Sequence, residues 1–482
     1  MASCIAELEL ENLTYTIPGG FNAAPYSIRL GLWEMPRAQS FKGLWRWWLR
    51  ALLSGALWGA GKYDREKVQQ ATKNLLGSIR CASKFIIHVS VEGEAKPLDA
   101  QAIEKWKRIW KQLTITPNVL LKNFPSSPSI PPLPPRLFLI LQARESNQRL
   151  AERVSTYQPG DLKITIKLLK RPFIDISSRE CSIAISSLIL SLIFGGIGAI
   201  SRRGFGSLSF AQVRINEELW EYGDLIKDIM KTNDPSKLRE LLCQLIKMSL
   251  TDARELLGVK STTGSDEVPD HSLLSEPGDP PEDVRPFNLN IFTLSIPNVT
   301  NKERSAFQLL GFRDYETMKL LTLIGYSTMK LFWKLADGEE FDAHGFHWET
   351  WVMGLPRGQK IDKQRLRIRC FNIDLHEDGT YIGKVPWDVL KTGYSSDNKD
   401  RRASAISIKP IKRLGERSWI IALHGFLSRD WNDTLYHYGV TPPPKRGRDH
   451  YRVEKRRLVP PQDIDRAFVK AWVRLKKIYG VR

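Results

Sequence analysis

From Cys181 to Ile200 the chain runs for twenty residues without a charged side chain, bounded by Arg179 before it and Arg202–Arg203 after it. A run like this has to be covered from every direction, by lipid or by protein. It contains four serines, and its last third, Gly195–Gly196–Ile197–Gly198, breaks a helix. The uninterrupted helical part, Cys181 to Phe194, has about fourteen residues, the length of a buried core helix and short of a bilayer span. The segment therefore predicts a central helix inside a layered domain, not a membrane anchor, followed by a glycine-rich loop.

The flanking patterns suggest what forms the layers. Residues Ile5 to Tyr15 alternate like a strand, and Phe41 to Leu57 has the apolar spacing of a helix. Strands are expected at Phe85 to Val91, Arg136 to Ala143, Leu162 to Leu168 and Leu208 to Ile215. The order of strand, helix, strands, helix, strand is the split βαβ pattern of ferredoxin-like folds. A proline-rich insertion, Phe124 to Pro135, reads as extended surface chain, and residues 216 to 258 read as helical throughout. Between Gly264 and Asp283 there are seven acidic residues and no Lys or Arg, which predicts a flexible linker. Beyond it, strand patterns at Phe287 to Ile296, Thr350 to Gly354, Arg402 to Ile408 and Trp419 to Leu423 surround a helical stretch, Asn301 to Trp333. A second α+β unit is expected, closed by a basic helix after Pro460–Pro461. The division is 1–260, a linker 261–285, and 286–482.

The charge balance narrows the partners. Lys and Arg number 72 against 53 Asp and Glu, a formal net charge of +19, and a compact chain with that excess suits a polyanionic partner. Nucleic acid is the commonest one and an anionic membrane surface the next. Fifteen tryptophans add rings suited to stacking, although most of them are expected to fill core. The C-terminal residues 445–482 hold thirteen Lys/Arg and four Asp/Glu, a net of 13 − 4 = +9, which fits a solvated face as well as a nucleic-acid surface. Five cysteines without a CxxC pair argue against a disulfide framework or a cysteine zinc site and fit a reducing cytoplasm. No signal-peptide pattern opens the chain.

Three constellations carry the functional reading. Lys42, Arg46 and Arg50 recur at i, i+4 and i+8, so they line one helix face about 6 Å apart, a spacing suited to consecutive phosphates. Trp45 and Trp47 stand beside this stripe, and no acidic residue lies between Phe41 and Leu57. The second constellation is Gly195 to Phe210, in which Gly195, Gly196 and Gly198 permit close backbone approach, consecutive N–H groups suggest an anion cradle, and Arg202 and Arg203 supply charge. With Phe205, the run RGFGSLSF also resembles the RNP1 signature, departing at Ser207 and Leu208 and lying after a helix instead of on an internal strand. The third is Gly354–Leu355–Pro356–Arg357–Gly358 with Arg401–Arg402–Ala403–Ser404, which together suggest a loop and a basic strand edge facing one ligand.

Lys42–Gly43–Leu44–Trp45–Arg46–Trp47–Trp48–Leu49–Arg50, followed by Gly195–Gly196–Ile197–Gly198 and Ser201–Arg202–Arg203–Gly204–Phe205–Gly206, resembles the RAMP superfamily of CRISPR systems. Within it the pattern is similar to the first-subunit family of type III-B Cmr effector complexes, departing at Phe41 where an aliphatic residue is usual. The resemblance implies an α+β protein of two tandem ferredoxin-like (RRM-like) modules with helical insertions. It also implies a place near the crRNA 3′ region, with crRNA, target RNA and other Cmr subunits as partners. Lys42, Arg46 and Arg50 carry over as helix contacts, and the glycine loop with its arginine pair as the RNA cradle. Cleavage of the target is implied to belong to another subunit, and no cofactor or metal is expected.

The rival reading is a metal-independent ribonuclease, which needs a general base, usually His, beside the 2′-hydroxyl. His88 falls in an apolar strand pattern and is expected to be packed. His344 and His347 form HxxH without a third ligand, and His376–Glu377–Asp378 fall in a turn. None lies beside the basic motifs in sequence, so binding without catalysis is the expectation.

Overall fold

The computed structural model of the 482-residue chain describes residues 3–18, 26–27, 32–33, 35–61, 63–98, 133–137, 155–216, 222–260, 267–328, 333, 350–354, 359–360, 373–375, 380–383, 391–395, 404–431, 435–441, 452–458 and 460–481. Strand β1 (Cys4–Asn12) leads to helices α1 (Ala38–Trp58) and α2 (Arg65–Leu76), then strands β2 (Phe85–Glu92) and β3 (Lys163–Lys170). Helix α3 (Ser178–Phe194) and strand β4 (Leu208–Ile215) complete a four-stranded antiparallel sheet in the order β2-β3-β1-β4. Alternation along β1 explains its two faces. Leu8 and Leu10 point into the core. Glu7 lies opposite Lys167 and Arg214 on the outer face, with carboxylate contacts of 3.0 and 3.4 Å. That outer face holds paired charges where an RRM sheet would present aromatic rings.

Helix α3 is buried at every position from Cys181 to Phe194. It starts at a capping box, Ser177 with Glu180, and it ends at Gly195. Its serines turn inward on the helix itself, Ser187 Oγ donating to Ala184 O and Ser191 Oγ to Leu188 O. Neighbouring helices and two sheets together account for its apolar circumference. After helices α4 (Gly223–Lys231) and α5 (Pro235–Leu256), strand β5 (Phe287–Ser295) joins β6 (Ile406–Arg413) and β7 (Ser418–Phe426) in the order β6-β7-β5. Phe287, Leu289, Ile291, Ile420 and Ala422 from this second sheet belong to the same core as α1, α3, α5 and the first sheet. A single helical layer is thus sandwiched between the two sheets. Trp48 stacks on Phe194 with ring centroids 5.6 Å apart and meets Phe287 and Phe426 edge-on. The opposite face of the second sheet packs in a separate core with residues of α7 (Tyr315–Ser327) and α8 (Pro460–Tyr479), α6 (Asn301–Leu309) preceding α7. Among the described residues no helix is long and apolar enough to cross a membrane.

Several expectations need correction. Residues 267–285 form a packed strap and not a flexible linker; 261–266 lie outside the described residues. Leu273 and Leu274 are fully buried, and Leu274 N–H donates to Ala51 O. Gly55 makes that approach possible, because a Cβ there would lie 1.6 Å from Leu274 O. The acidic charge of the strap is answered over distance in sequence: Asp279 accepts from Trp472 Nε1 at 3.0 Å and from Lys476 Nζ at 3.3 Å. A local reading of seven acids without a cation cannot see partners nearly two hundred residues away. Thr350–Met353 is a buried 3-10 turn, not a strand. Of the strand expected at 136–143, Arg136 and Leu137 lie in a helical turn and the rest falls outside the described residues. The helical stretch 216–258 divides at Asp234–Pro235, where Asp234 caps α5 through the N–H groups of Ser236 and Lys237. Part of the basic C-terminal region, Arg452–Leu458, is a strand paired with Leu435–Thr441 in a six-stranded sheet.

Candidate nucleic-acid interface

Helix α1 carries the predicted stripe along the edge of the shared layer. Arg50 is exposed, and Lys42 and Arg46 are half-buried. Arg46 has a structural task as well, since its guanidinium donates to Leu76 O and Gly77 O at 2.9 Å. These carbonyls end α2, so Arg46 complements the negative end of that helix dipole. Arg46 and Arg50 open onto a cleft of about 770 Å³ between α1, α2, the strap and the second sheet. Among the described residues five cations line it, Arg46, Arg50, Arg65, Lys73 and Arg202, against one carboxylate, Asp430. Trp47 and Tyr63 add rings at its wall, 37% and 36% exposed, and the Tyr63 ring lies 5.5 Å from that of His271. On the other side of Arg46 a smaller hollow of about 360 Å³ holds Lys42 and Arg171 above Phe85, Ile86 and Ile87. Burial, reinforced by the guanidiniums of Arg46 and Arg171, holds the Lys42 ammonium below its ordinary pKa. Arg46 is lowered too, by burial first and then by Arg50. The stripe is thus a row of cations that destabilise one another.

The glycine loop behaves differently. Gly195 caps α3, and the N–H groups that follow alternate in use: Ile197 donates to Gly206 O and Ala199 to Ile17 O, while Gly206 donates to Tyr15 O. The expected run of consecutive free N–H groups is therefore broken. Gly196 and Gly198 adopt positive φ, and Gly206, at φ +60, would place a Cβ 1.8 Å from Ile197 O. Its glycines serve close approach of chain to chain. Arg203 is 5% exposed and donates to Met353 O at 2.6 Å, Ile406 O at 3.3 Å and Ser404 Oγ at 3.3 Å. Phe205 is buried among residues of α6 and α7, including Phe307, Met318 and Leu321. The loop is a clasp between the two halves, and of its arginine pair it is Arg202 that lines the cleft, with a hydrogen bond to Ser404 O.

Two aromatic assignments are corrected with it. Trp45 is fully buried, its indole nitrogen donating to Ala184 O at 3.0 Å and Ser187 Oγ at 2.9 Å, so it braces α1 on α3 and offers no ring to a base. Phe205 is equally inaccessible. Trp47, three residues before Arg50, is the ring on the cationic side, a phase the helical spacing contained. Tyr63, Arg65, Lys73 and His271 had no sequence signal; only the fold brings them to α1. His88 lies exposed on the edge strand β2 and is not packed. Arg357, Arg401, Arg402, His344, His347 and His376 lie outside the described residues. Among the described residues no group of three or more His, Cys, Asp or Glu is placed to hold a metal ion.

A mixed α/β chain whose helical layer lies between two antiparallel sheets, with a cationic cleft beside its first helix, matches a known family over part of its length. Residues 37–209, from the approach to α1 into the first residues of β4, match the RAMP superfamily. Over 274 residues it is 25% identical to the CRISPR system Cmr subunit Cmr1-1 of Pyrococcus furiosus, a match covering 56% of this chain and 64% of that relative, a little under two thirds of its length. Similar solved structures include a chain of the type III-B Cmr-beta bound to cognate target RNA and AMPPnP, at 15% identity over 98% of both chains with a TM-score of 0.48. Cmr1 from Pyrococcus furiosus in its apo form is 15% identical over 97% of both chains, with a TM-score of 0.44.

Proposed function

We propose that this chain is a non-catalytic RNA-binding subunit of a type III-B CRISPR RNA-guided effector complex, acting in the cytoplasm in antiviral defence. It engages target RNA, the crRNA 3′ region or both, alongside other Cmr subunits. The observation that carries this reading is the cleft beside α1, where, among the described residues, five cations and two exposed rings face one carboxylate. Phosphates satisfy such a surface and bases stack on its rings. The two halves are tandem ferredoxin-like modules. In the first, strand order β2-β3-β1-β4 with α1 after β1 and α3 after β3 supports this; in the second, β5, β6 and β7 with α7 and α8 repeat the arrangement without a fourth strand among the described residues.

The test is titration of a labelled single-stranded RNA with the purified chain across salt concentrations. The R50A/R202A variant should weaken binding and flatten the salt slope by about 0.7 per lost phosphate contact. Identical affinity and slope in wild type and variant would sink the assignment. A ribonuclease would need an acid–base pair, and among the described residues His271 is the imidazole that lines the cleft. It packs on Tyr63, and among the described residues no carboxylate hydrogen-bonds to it. Incubation with labelled RNA should give no site-specific products; products lost in H271A would establish catalysis instead.

A further inference from the structure

Lys409 lies on β6 beneath the glycine loop and is fully buried. Its Nζ fills the space where a side chain on Gly196 would begin, since a Cβ there would lie 2.2 Å from it. The ammonium donates to Ser201 O at 3.4 Å, a long hydrogen bond, and no carboxylate pairs with it among the described residues. Among the described residues, the charged and titratable groups around this junction include Arg202 and Arg203 from the loop, His424 from the neighbouring strand β7, and Tyr479 of α8 beside Arg203. His424 is buried against Phe194, Trp48 and Phe287, with ring centroids at 5.1, 6.4 and 6.4 Å, and among the described residues its Nδ1 has no hydrogen-bond partner. Burial holds His424 down at about 3, with Lys409 and Arg202 adding to the effect, so it is neutral and supplies no counter-charge. Burial likewise brings Lys409 down to about 7. An unpaired ammonium in a protein interior is costly, and an apolar residue of similar volume is normally the more stable choice. Among the described residues the junction holds no anion, and the loop that covers Lys409 sends Arg202 into the cleft where RNA phosphates are expected.

We propose that Lys409 is a proton-linked anchor for RNA: a phosphate held at the Arg202 side of the cleft draws a proton onto the buried amine, so that RNA binding takes up as much as one proton and tightens as pH falls. This rests on the RNA-binding reading above. The proton comes from solvent and stays on Nζ; no covalent bond forms or breaks. A nearby anion favours the charged form and raises the amine's pKa in the complex. Below the free value of about 7 the amine is protonated in both states, and above the raised value it is neutral in both, so uptake is confined to the window between them. Each unit by which RNA raises the pKa makes binding about tenfold tighter at the acid end of the window than at its alkaline end.

The test is calorimetric titration of the full chain with a single-stranded RNA oligonucleotide at pH 7.5–8 (roughly the centre of the window for a rise of about one unit), in buffers of different ionisation enthalpy. Wild type, K409M, K409Q and H271Q are compared, because among the described residues His271 is the imidazole that lines the cleft. Circular dichroism checks that each variant is folded. Wild type and H271Q should take up a fraction of a proton on binding, whereas K409M and K409Q should bind with none and show a flat affinity across the window. Binding by wild type without proton uptake overturns the linkage and leaves the RNA reading standing. Uptake that persists in the Lys409 variants, or that is lost in H271Q, assigns the proton elsewhere and also overturns it. No binding by wild type overturns both.

Discussion

The cationic face of α1 and the glycine loop after α3 carry the same residue types, arginine beside small or aromatic neighbours, and use them in opposite ways. On α1 the charges at Arg46 and Arg50 face a cleft rich in other cations, and the ring that accompanies them, Trp47, is exposed. In the loop the equivalent parts turn inward: Arg203 is fixed on the carbonyls of Met353 and Ile406, and Phe205 enters a core shared with α6 and α7. Adjacent arginines, 202 and 203, divide between the two roles. The lesson is that a glycine-rich segment permits close approach without saying whether a ligand or another part of the chain does the approaching.

The largest effect that would sharpen this contrast is at Arg203. In R203M the acceptors at Met353, Ile406 and Ser404 lose their donor inside a buried junction, and stability should fall by about 3 kcal/mol. Urea unfolding measures it, and the salt slope of RNA binding by the folded fraction should stay that of wild type. G206A should cost about 2 kcal/mol or more for the same reason, because a left-handed backbone and a Cβ against Ile197 O oppose it. A loop that tolerated both changes while losing RNA would be a ligand cradle after all, and the comparison would collapse.

Burial of Lys409 gives a pH signature on the same junction. Its folded pKa, about 7, lies below its ordinary value of 10.5, so between those limits the unfolded chain binds more protons and stability rises with pH. Below about 7 that penalty is fully present. K409M should therefore stabilise the chain by about 1–2 kcal/mol at neutral pH and remove this rise, as thermal unfolding across pH 7–10 (roughly the limits of the two pKa values) would show. A K409M chain that melts lower than wild type at pH 7 would mean that the ammonium has an unrecognised partner.

Much of the fold was legible because its signals are local. The C-terminal end of α3 and the bounds of β4 and β5 follow from a glycine stop and strand alternation, each set by a few neighbouring residues, whereas the capping box starts α3 at Ser178, ahead of the expected Cys181. The strap escapes a local reading for the converse reason: Asp279 is satisfied by Lys476 and Trp472, and Leu274 is covered by a helix more than two hundred residues earlier. The site divides in the same way. Lys42, Arg46 and Arg50 share a helix and were visible by their spacing, whereas Arg65, Lys73 and His271 reach the cleft through the packing of α2 and the strap. Trp45 and Trp47 differ only in helical phase, and the buried side of α1 was defined by α3, whose position the spacing of α1 alone does not give.

That pair of tryptophans supplies the smallest effect and a clean separation of brace from contact. Trp45 is closed off by α3 and holds two hydrogen bonds, so W45L acts on stability. Trp47 meets Phe426 and Trp48 edge-on at 5.0 and 5.5 Å yet keeps 37% of its surface exposed at the cleft. In W47L the remaining aliphatic side chain preserves part of that contact, and stability should change by less than about 1 kcal/mol. A base stacked on the indole would lose about 1 kcal/mol, or roughly fivefold in affinity. Because stacking carries no charge, the salt slope should match wild type even as affinity falls, the opposite of the R50A/R202A outcome. Fluorescence quenching of the single added signal, read as the difference between wild type and W47L on RNA addition, checks the contact directly. If W47L binds RNA as tightly as wild type and the quenching is unchanged, the cleft reads phosphates alone and Trp47 belongs with Trp45 as packing.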